Sequence, residues 1–316
     1  MVYSEVTALT IMRKKKVMNN YFSILGFAAV FFFTSCKQSG SSEVQSNPWE
    51  NGSAQIAADI NLQPILSQLS EAFEHEFPKA RITYDFDSND SLVHKFIAGE
   101  IHCMIITREL NNNESQYASM AQDIRARQNV FAYSGIALVA AKNFPDSLFD
   151  LSLLKNYLSG NRMEIVFDNA QSGIAKFMMQ KSEIDPTLLK NARSAGSIDA
   201  LVKYVQQKQN AVGCMPFSYI SNSGEKSARA ILDAVKVLDV KWHDSTFVIS
   251  QESIAYGDYP LKVPFNFVRG SQYEPLADGF ASYLYKHRAA KILLRAGLVP
   301  ANIPARTYNI SEKLPQ

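Results

Sequence analysis

The sequence predicts an α/β fold with largely parallel sheets. Beyond residue 54, segments with a helical spacing of apolar residues alternate with short apolar segments typical of buried strands. This alternation indicates units in which a helix connects two parallel strands. Residues 36–316, which follow an N-terminal leader, are enough for two ordinary domains or one large α/β unit.

The first predicted helix and strand show the two periods clearly. Apolar residues between 65 and 73 form one face of a helix, with Pro64 in its first turn and Asn61 as its candidate N-cap. Pro78 ends this helix. Residues 82–86 then alternate between apolar and polar side chains, which predicts a strand.

Two polar turns between a strand and a helix are candidate anion sites. Ser88 and Asn89 precede a helix over residues 92–97, and residues 168–173 (Asp-Asn-Ala-Gln-Ser-Gly) precede a helix over 174–180. Unpaired amides and the helix dipole attract anions to a helix start, and glycine lets a ligand approach the backbone closely. Taken alone, each turn is equally well explained as an ordinary helix cap.

Strand and helix patterns continue to alternate along the rest of the chain. The predicted strands are 103–106, 136–141, 165–167, 211–215, 235–240 and 263–268, and the predicted helices are 151–158, 198–205, 276–285 and 292–294. Residues 133–135 (Tyr-Ser-Gly) are predicted to form a turn between two strands. Cys103 and Cys214 lie in apolar segments, which predicts buried, unreactive thiols. No CxxC, HExxH or histidine cluster supports a metal or cofactor site.

The N-terminal 35 residues have the organisation of a secretory signal. Four basic residues at 13–16 precede ten apolar residues at 24–33, fewer than the about 20 that a membrane-spanning helix needs. Residues 34–35 (Thr-Ser) directly before Cys36 resemble the lipobox of bacterial lipoproteins, which implies cleavage and lipid attachment at Cys36. The alternative is a plain secretory signal with an incidental cysteine. Both interpretations predict export.

The composition after the leader argues against some partners. Removing residues 1–35 takes four of the 32 basic and one of the 30 acidic residues, which leaves a net charge of −1. Binding to nucleic acid or an anionic membrane by bulk electrostatics needs clustered basic surface instead. Residues 36–53, rich in Ser, Gly, Asn and Gln, are predicted to form a flexible tether. Met12 and Met18 are candidate start sites.

Several short motifs occur in a characteristic order over residues 55–305. They are Pro64 with Phe73-Glu74, Arg81-Ile82-Thr83-Tyr84 leading to Ser88, Ser172-Gly173, Ala211-Val212-Gly213, Asp258-Tyr259-Pro260-Leu261 and Ala296-Gly297-Leu298-Val299-Pro300. In this order the chain resembles the phosphate-binding proteins of bacterial phosphate ABC transporters, within the type 2 periplasmic binding proteins. The resemblance implies two α/β lobes joined by crossover hinge strands around a central ligand cleft. It places lobe 1 at 54–135 and 258–316, and lobe 2 at 136–257.

The resemblance also implies which residues contact the ligand. Ser88 and Ser172-Gly173 would begin helices on opposite lobes, with both N-termini facing the cleft. Ile60 replaces the family's first-loop hydroxyl and leaves Asn61 as the polar group, and Ile174 replaces a threonine. The implied ligand-binding set is Asn61, Ser88, Asn89, Thr107, Arg108, Asp168, Asn169, Ser172 and Gly173.

Two charged positions depart from the family. The family has an acid where Arg108 stands and an arginine where Asp168 stands, so the two charges are exchanged between lobes. Arg108 would then bind an oxyanion through charge-assisted hydrogen bonds, while Asp168 would accept a proton from the ligand or pair with Arg108. The alternative is that Arg108 forms an ion pair with Glu109 or Asp168 and contacts no ligand.

These features predict a lipid-anchored solute-binding protein rather than an enzyme. It would be a monomer at the periplasmic or cell surface that captures a small oxyanion, phosphate foremost, and passes it to an ABC permease in transient contact. The membrane would be reached through the lipid alone. One alternative is a surface or signalling module of the same fold that binds another ligand or a protein. A hydrolase is the other, and phosphoester turnover lost on Ser172→Ala would support it.

Overall fold

A computed structural model describes residues 47–122, 126–160, 163–169, 173–185, 191–272 and 274–302. The predictions for the leader, for Cys36, for the first part of the tether and for Ser172 lie outside these residues. Among the helices that are described, none is long and apolar enough to cross a membrane.

Twelve strands and ten α-helices lie within the described ranges. The strands are β1 Gly52–Asp59, β2 Ala80–Asp87, β3 Cys103–Ile106, β4 Arg127–Ala141, β5 Leu148–Asp150, β6 Glu164–Phe167, β7 Ala192–Ser194, β8 Ala211–Pro216, β9 Val235–Trp242, β10 Ser245–Phe247, β11 Lys262–Arg269 and β12 Val299–Pro300. The helices are α1 Gln63–Glu76, α2 Asn89–Ala98, α3 Asn112–Gln122, α4 Leu154–Ser159, α5 Gly173–Ser182, α6 Ile198–Gln207, α7 Lys226–Ala234, α8 Gln251–Ala255, α9 Pro275–Tyr283 and α10 His287–Arg295.

The long strand β4 belongs to two sheets. Its first part, residues 127–135, pairs with β11 in a sheet of order β2-β1-β3-β11-β4. Its second part, residues 136–141, pairs with β8 and β9 in a sheet that continues from β8 to β6 and β7. Strands β1, β2 and β3 are parallel in the first sheet, and β6, β7 and β8 are parallel in the second. Strand β11 is antiparallel to β3 and β4, and β4 is antiparallel to β8, so both sheets are mixed. We call each sheet with its packed helices a lobe, and the predicted residue boundaries of the lobes stay a prediction.

The predicted turn at residues 133–135 is wrong, because these residues continue β4 from one sheet into the other. Gly135 serves packing rather than a turn: a Cβ there would lie 2.8 Å from Ile254 Cδ1 of α8. The glycine therefore lets α8 lie directly against the crossover strand.

The folded region begins earlier than its composition indicates. Gly52 and Ser53, assigned to the tether, are the first two residues of β1, and the Gly52 amide donates to the Lys79 carbonyl at 3.0 Å. Backbone pairing of this kind needs no apolar side chain, so composition does not reveal it. The last helix likewise begins at His287 rather than at 292.

Packing behind the first sheet fixes the start of α2. Leu92, Val93 and Phe96 of α2 are buried against Met104 and Ile106 of β3. Each fully buried apolar side chain of this size contributes about 1.5–3 kcal/mol. The end of β3 and the start of α2 are thereby held side by side.

Candidate functional site

A buried carboxylate, Asp59, ends strand β1 and joins three segments of the first lobe. Its Oδ1 accepts the Asn61 amide at 3.0 Å, and its Oδ2 accepts the Asn89 side-chain amide and the Thr107 hydroxyl, both at 2.8 Å. The Thr107 amide donates in turn to Asn89 Oδ1 at 3.2 Å. Asp59 thus connects the turn after β1, the start of α2 and the end of β3.

The charge of Asp59 is costly in this position. Burial raises its pKa, hydrogen bonds from the Asn61 amide, Thr107 and Asn89 lower it, and the negative charge of Asp168 raises it further. Asp59 is 1% exposed and Asp168 is 7% exposed. Two buried carboxyl groups that interact electrostatically repel a doubly charged, unprotonated ligand. They favour a ligand that carries a proton.

Helix α5 of the second lobe begins directly against this network. A Cβ on Gly173, the first residue of α5, would lie 2.7 Å from Asn89 Nδ2 and still closer to Thr107 Oγ1. Asn89 is the first residue of α2, and the Ser88 hydroxyl caps that helix by accepting the Ser91 amide at 3.4 Å. Helix starts from opposite lobes therefore meet, and the positive ends of both dipoles favour negative charge at this point.

A cavity of about 520 Å³ is lined by residues of both lobes at this meeting point. Its buried polar lining includes Asp59, Thr107, Asp168 and Gly173. Its buried apolar lining includes Leu62, Ile65, Ile136, Val263, Phe265 and Leu298. Exposed polar side chains at its edge include Asn61, Gln68, Glu225 and Arg295. The arrangement can hold a solute of mixed polarity away from water.

Arg108 is absent from the described lining of the cavity and is engaged elsewhere. Its Nη1 and Nη2 donate to the two carboxylate oxygens of Glu114 at 2.7 and 2.8 Å, and its side chain is 6% exposed. Burial opposes ionisation of Glu114, but the bonds from Arg108 and the Asn111 amide hold its pKa below the usual value. The carboxylate that binds Arg108 is thus Glu114, neither Glu109 nor Asp168. Ligand contact by Arg108 stays a prediction.

A chain of charges extends from this pair across the lobes. Arg108 Nη2 lies 3.7 Å from Asp90 Oδ1 on α2, and Asp90 Oδ1 also binds Lys176 Nζ on α5. The Asp90 and Lys176 side chains are 34% and 26% exposed. This partly exposed ion pair links the helices of the two lobes beside the point where they meet.

The structure brings together only part of the predicted set. Asn61, Thr107, Asp168 and Gly173 line the cavity, and Asn89 supports Thr107 from behind. Ser88 is a helix cap outside the described lining, Asn169 is exposed outside it, and Ser172 lies beyond the described residues. The prediction of Asn61 as N-cap of the first helix is wrong. The position before α1 is Leu62, which makes no side-chain capping bond, and Asn61 lies in a preceding 3-10 turn, where its amide donates to Asp59.

Three functional side chains were missed, and two had a signal in the sequence. Asp59 is an acid at the end of the apolar stretch 56–58, which is where parallel strands present ligand-binding groups. Glu114 stands three residues after Asn111, the spacing of a capping box, and each side chain accepts the other's amide. Lys176 had no signal, because its partner Asp90 lies in another lobe.

The described residues contain neither a candidate metal site nor an accessible thiol. No three His, Cys, Asp or Glu side chains in that part of the chain are grouped to hold a metal ion. Cys103 and Cys214 are free and buried, as predicted, and burial raises the pKa of both thiols.

Comparison with known proteins identifies the fold and the family. A family profile for a PBP superfamily domain matches residues 43–288. A phosphate ABC transporter substrate-binding protein from Clostridium perfringens, solved with bound phosphate, is 20% identical at a TM-score of 0.62 over 79% of this chain and 100% of that one. No curated protein sequence matches.

Two further solved structures have the same fold. An ABC-type phosphate transport receptor from Vibrio cholerae is 16% identical at a TM-score of 0.63, covering 79% of this chain and 100% of its own. PstS from Borrelia burgdorferi is 15% identical at a TM-score of 0.56, covering 79% and 99%. At these identities the likeness establishes the type 2 periplasmic binding protein fold, which the sequence predicted. With the profile spanning most of its length, the chain belongs to the PBP superfamily.

Proposed function

We propose that this protein is an exported, lipid-anchored solute-binding protein that captures a small protonated oxyanion, with phosphate as the first candidate, for an ABC transporter. One observation carries the proposal: beside the cavity, Gly173 at the start of α5 meets Asn89 at the start of α2 and Thr107 at the end of β3. Backbone amides at paired helix starts form a binding site for an anion.

Asp168 gives the site a preference among oxyanions. A carboxylate in the lining accepts a hydrogen bond from a protonated ligand but opposes the oxygen of an unprotonated one. A buried polar group left without a partner costs roughly 1–3 kcal/mol, which corresponds to about 5- to 150-fold in affinity. Sulfate carries no proton for Asp168 to accept, so either protonated form of phosphate is preferred over sulfate. Dihydrogen phosphate is preferred over hydrogen phosphate because its lower charge is repelled less by the buried carboxyl groups of Asp59 and Asp168.

Calorimetric titration of the purified protein tests this proposal. Inorganic phosphate is expected to bind several-fold more tightly at pH 6 than at pH 8, and at least tenfold more tightly than sulfate at either pH. Sulfate is the matched control, since it has the same shape and carries no proton over this range. Absence of binding by phosphate, sulfate and organic phosphates alike would overturn the proposal.

The proposed lipid anchor and transport role are argued mainly from the sequence. The leader and Cys36 support a lipid anchor at the periplasmic or cell surface, and the proposed partner is a permease that the monomer contacts transiently. The structures solved as phosphate transport receptors support this role by fold alone. Mass spectrometry of the membrane fraction is expected to find an N-terminal diacylglyceryl-modified Cys36, and an unmodified or uncleaved chain would contradict the anchor.

A further inference from the structure

We infer, on the basis of the proposed oxyanion site, that the natural ligand is an organic oxyanion, with one acidic headgroup on an uncharged and largely apolar body. The headgroup would bind where Thr107 and Gly173 meet, and the body would occupy the remaining cavity. This goes beyond the proposed function because it excludes the bare inorganic ion as the best ligand.

The cavity is too large for an inorganic ion. Its volume is about 520 Å³, within the range of about 300–1,000 Å³ of pockets that enclose organic ligands of drug size. Phosphate occupies at most roughly 150 Å³ when each of its phosphorus and oxygen atoms is given the ~30 Å³ of a water molecule. Most of the space would remain unfilled around the ion.

The chemistry of the lining indicates what fills that space. Five apolar side chains that line the cavity are each less than 10% exposed. They come from the N-terminal part of the sequence (Leu62 and Ile65) and from the C-terminal part (Val263, Phe265 and Leu298). Contact with hydrocarbon removes these apolar surfaces from water and lowers the free energy, whereas contact with a hydrated ion does not. These side chains therefore favour an apolar body.

The position next to the headgroup site has the same character. Ile174, which follows Gly173 and is 9% exposed, lines the cavity with an aliphatic side chain. The cavity's exposed edge carries one acid, Glu225, and one base, Arg295. Because these charges are opposite, they exert no net attraction on a second charged group of the ligand. A ligand with a single charged headgroup therefore fits best.

Titration of the purified protein with inorganic phosphate, methylphosphonate and butylphosphonate tests the inference. Affinity is expected to rise along this series, with butylphosphonate binding at least tenfold more tightly than inorganic phosphate. Phosphate binding as tightly as butylphosphonate would overturn the inference and leave the proposed function standing. Binding of none of the three would overturn both.

A cavity-filling variant locates the body. Val263→Phe, at a residue 4% exposed in the lining, is expected to lower the ratio of butylphosphonate to phosphate affinity at least fivefold. Val248→Phe, at a residue 63% exposed and outside the lining, is the matched control and should leave the ratio unchanged. If thermal melting shows that Val263→Phe does not fold, Ile65→Phe provides the same test. An unchanged ratio in a folded lining variant would contradict the inference.

Discussion

Adding one methyl group at Gly173 should separate the two lobes. A Cβ at this residue would lie 2.7 Å from Asn89 Nδ2, whereas ordinary contact begins at 3.4 Å, so at least about 0.7 Å must be taken up. The overlap with Thr107 Oγ1 is larger. Neither neighbour can turn away freely, because both donate to Asp59 at 2.8 Å.

The size of the effect follows from this overlap. Excess volume in a tightly packed site costs about 1–3 kcal/mol, or about 5- to 150-fold in the affinity for any solute that requires closure. The helix itself does not suffer, because alanine is favoured over glycine within a helix by up to ~1 kcal/mol. Gly173→Ala should therefore weaken binding and closure while the free energy of unfolding of the open protein is kept.

Calorimetry with inorganic phosphate and butylphosphonate measures the affinity, and small-angle X-ray scattering measures closure without ligand. The variant is expected to lose at least fivefold in affinity and to have a larger radius of gyration. Gly224→Ala is the matched control, because its Cβ would meet only an exposed Asn222 side chain at 3.1 Å. Wild-type affinity together with a wild-type radius in Gly173→Ala would refute the close approach of the helix starts.

Four other substitutions test the charges around the site. Lys176→Met removes the ion pair with Asp90 between the lobes. Binding is expected to weaken about two- to fivefold, because a partly exposed pair contributes only about 0.2–1 kcal/mol. Salt screens such a pair, so calorimetry in 0.5 M salt should no longer detect the difference. Arg108→Ala and Glu114→Ala should each lower the free energy of unfolding by about 3 kcal/mol in urea titrations, because each leaves a largely buried charge unpaired. A tenfold affinity loss confined to Arg108→Ala would instead support the predicted ligand contact. Asp168→Asn removes the carboxylate from the lining, so phosphate binding should strengthen at pH 8 and lose its pH dependence, whereas a retained preference for pH 6 would contradict the role of Asp168.

Periodicity predicted most elements of the fold, because apolar spacing reports directly which face of a helix or strand is buried. The cap at Ser88 also followed from the sequence and is confirmed by the hydrogen bond that its hydroxyl accepts from the Ser91 amide. Helix α3 escaped prediction because its composition is polar, although its capping box was readable. The resemblance implied crossover strands, but the continuity of β4 through residues 133–135 escaped, because a glycine that serves packing looks the same in a sequence as a glycine in a turn.

The site was less predictable because it depends on contacts between distant segments. Thr107 and Gly173, two residues of the set that the resemblance implies, line the cavity, and ligand contact by either stays a prediction. Position along the chain did not show that Arg108 is held by a carboxylate six residues later, since that pairing depends on where α3 packs. Nor did it reveal the role of Asp59, whose three hydrogen-bond donors come from residues 61, 89 and 107.

Location of the bound anion tests the central claim most directly. Arsenate has the geometry and protonation chemistry of phosphate, and anomalous scattering from a crystal grown with it reveals the arsenic position. An anion oxygen is expected within about 2.7–3.2 Å of the Gly173 amide nitrogen, beside the starts of α2 and α5. An arsenic peak elsewhere on the protein, with no density beside these helix starts, would contradict the account.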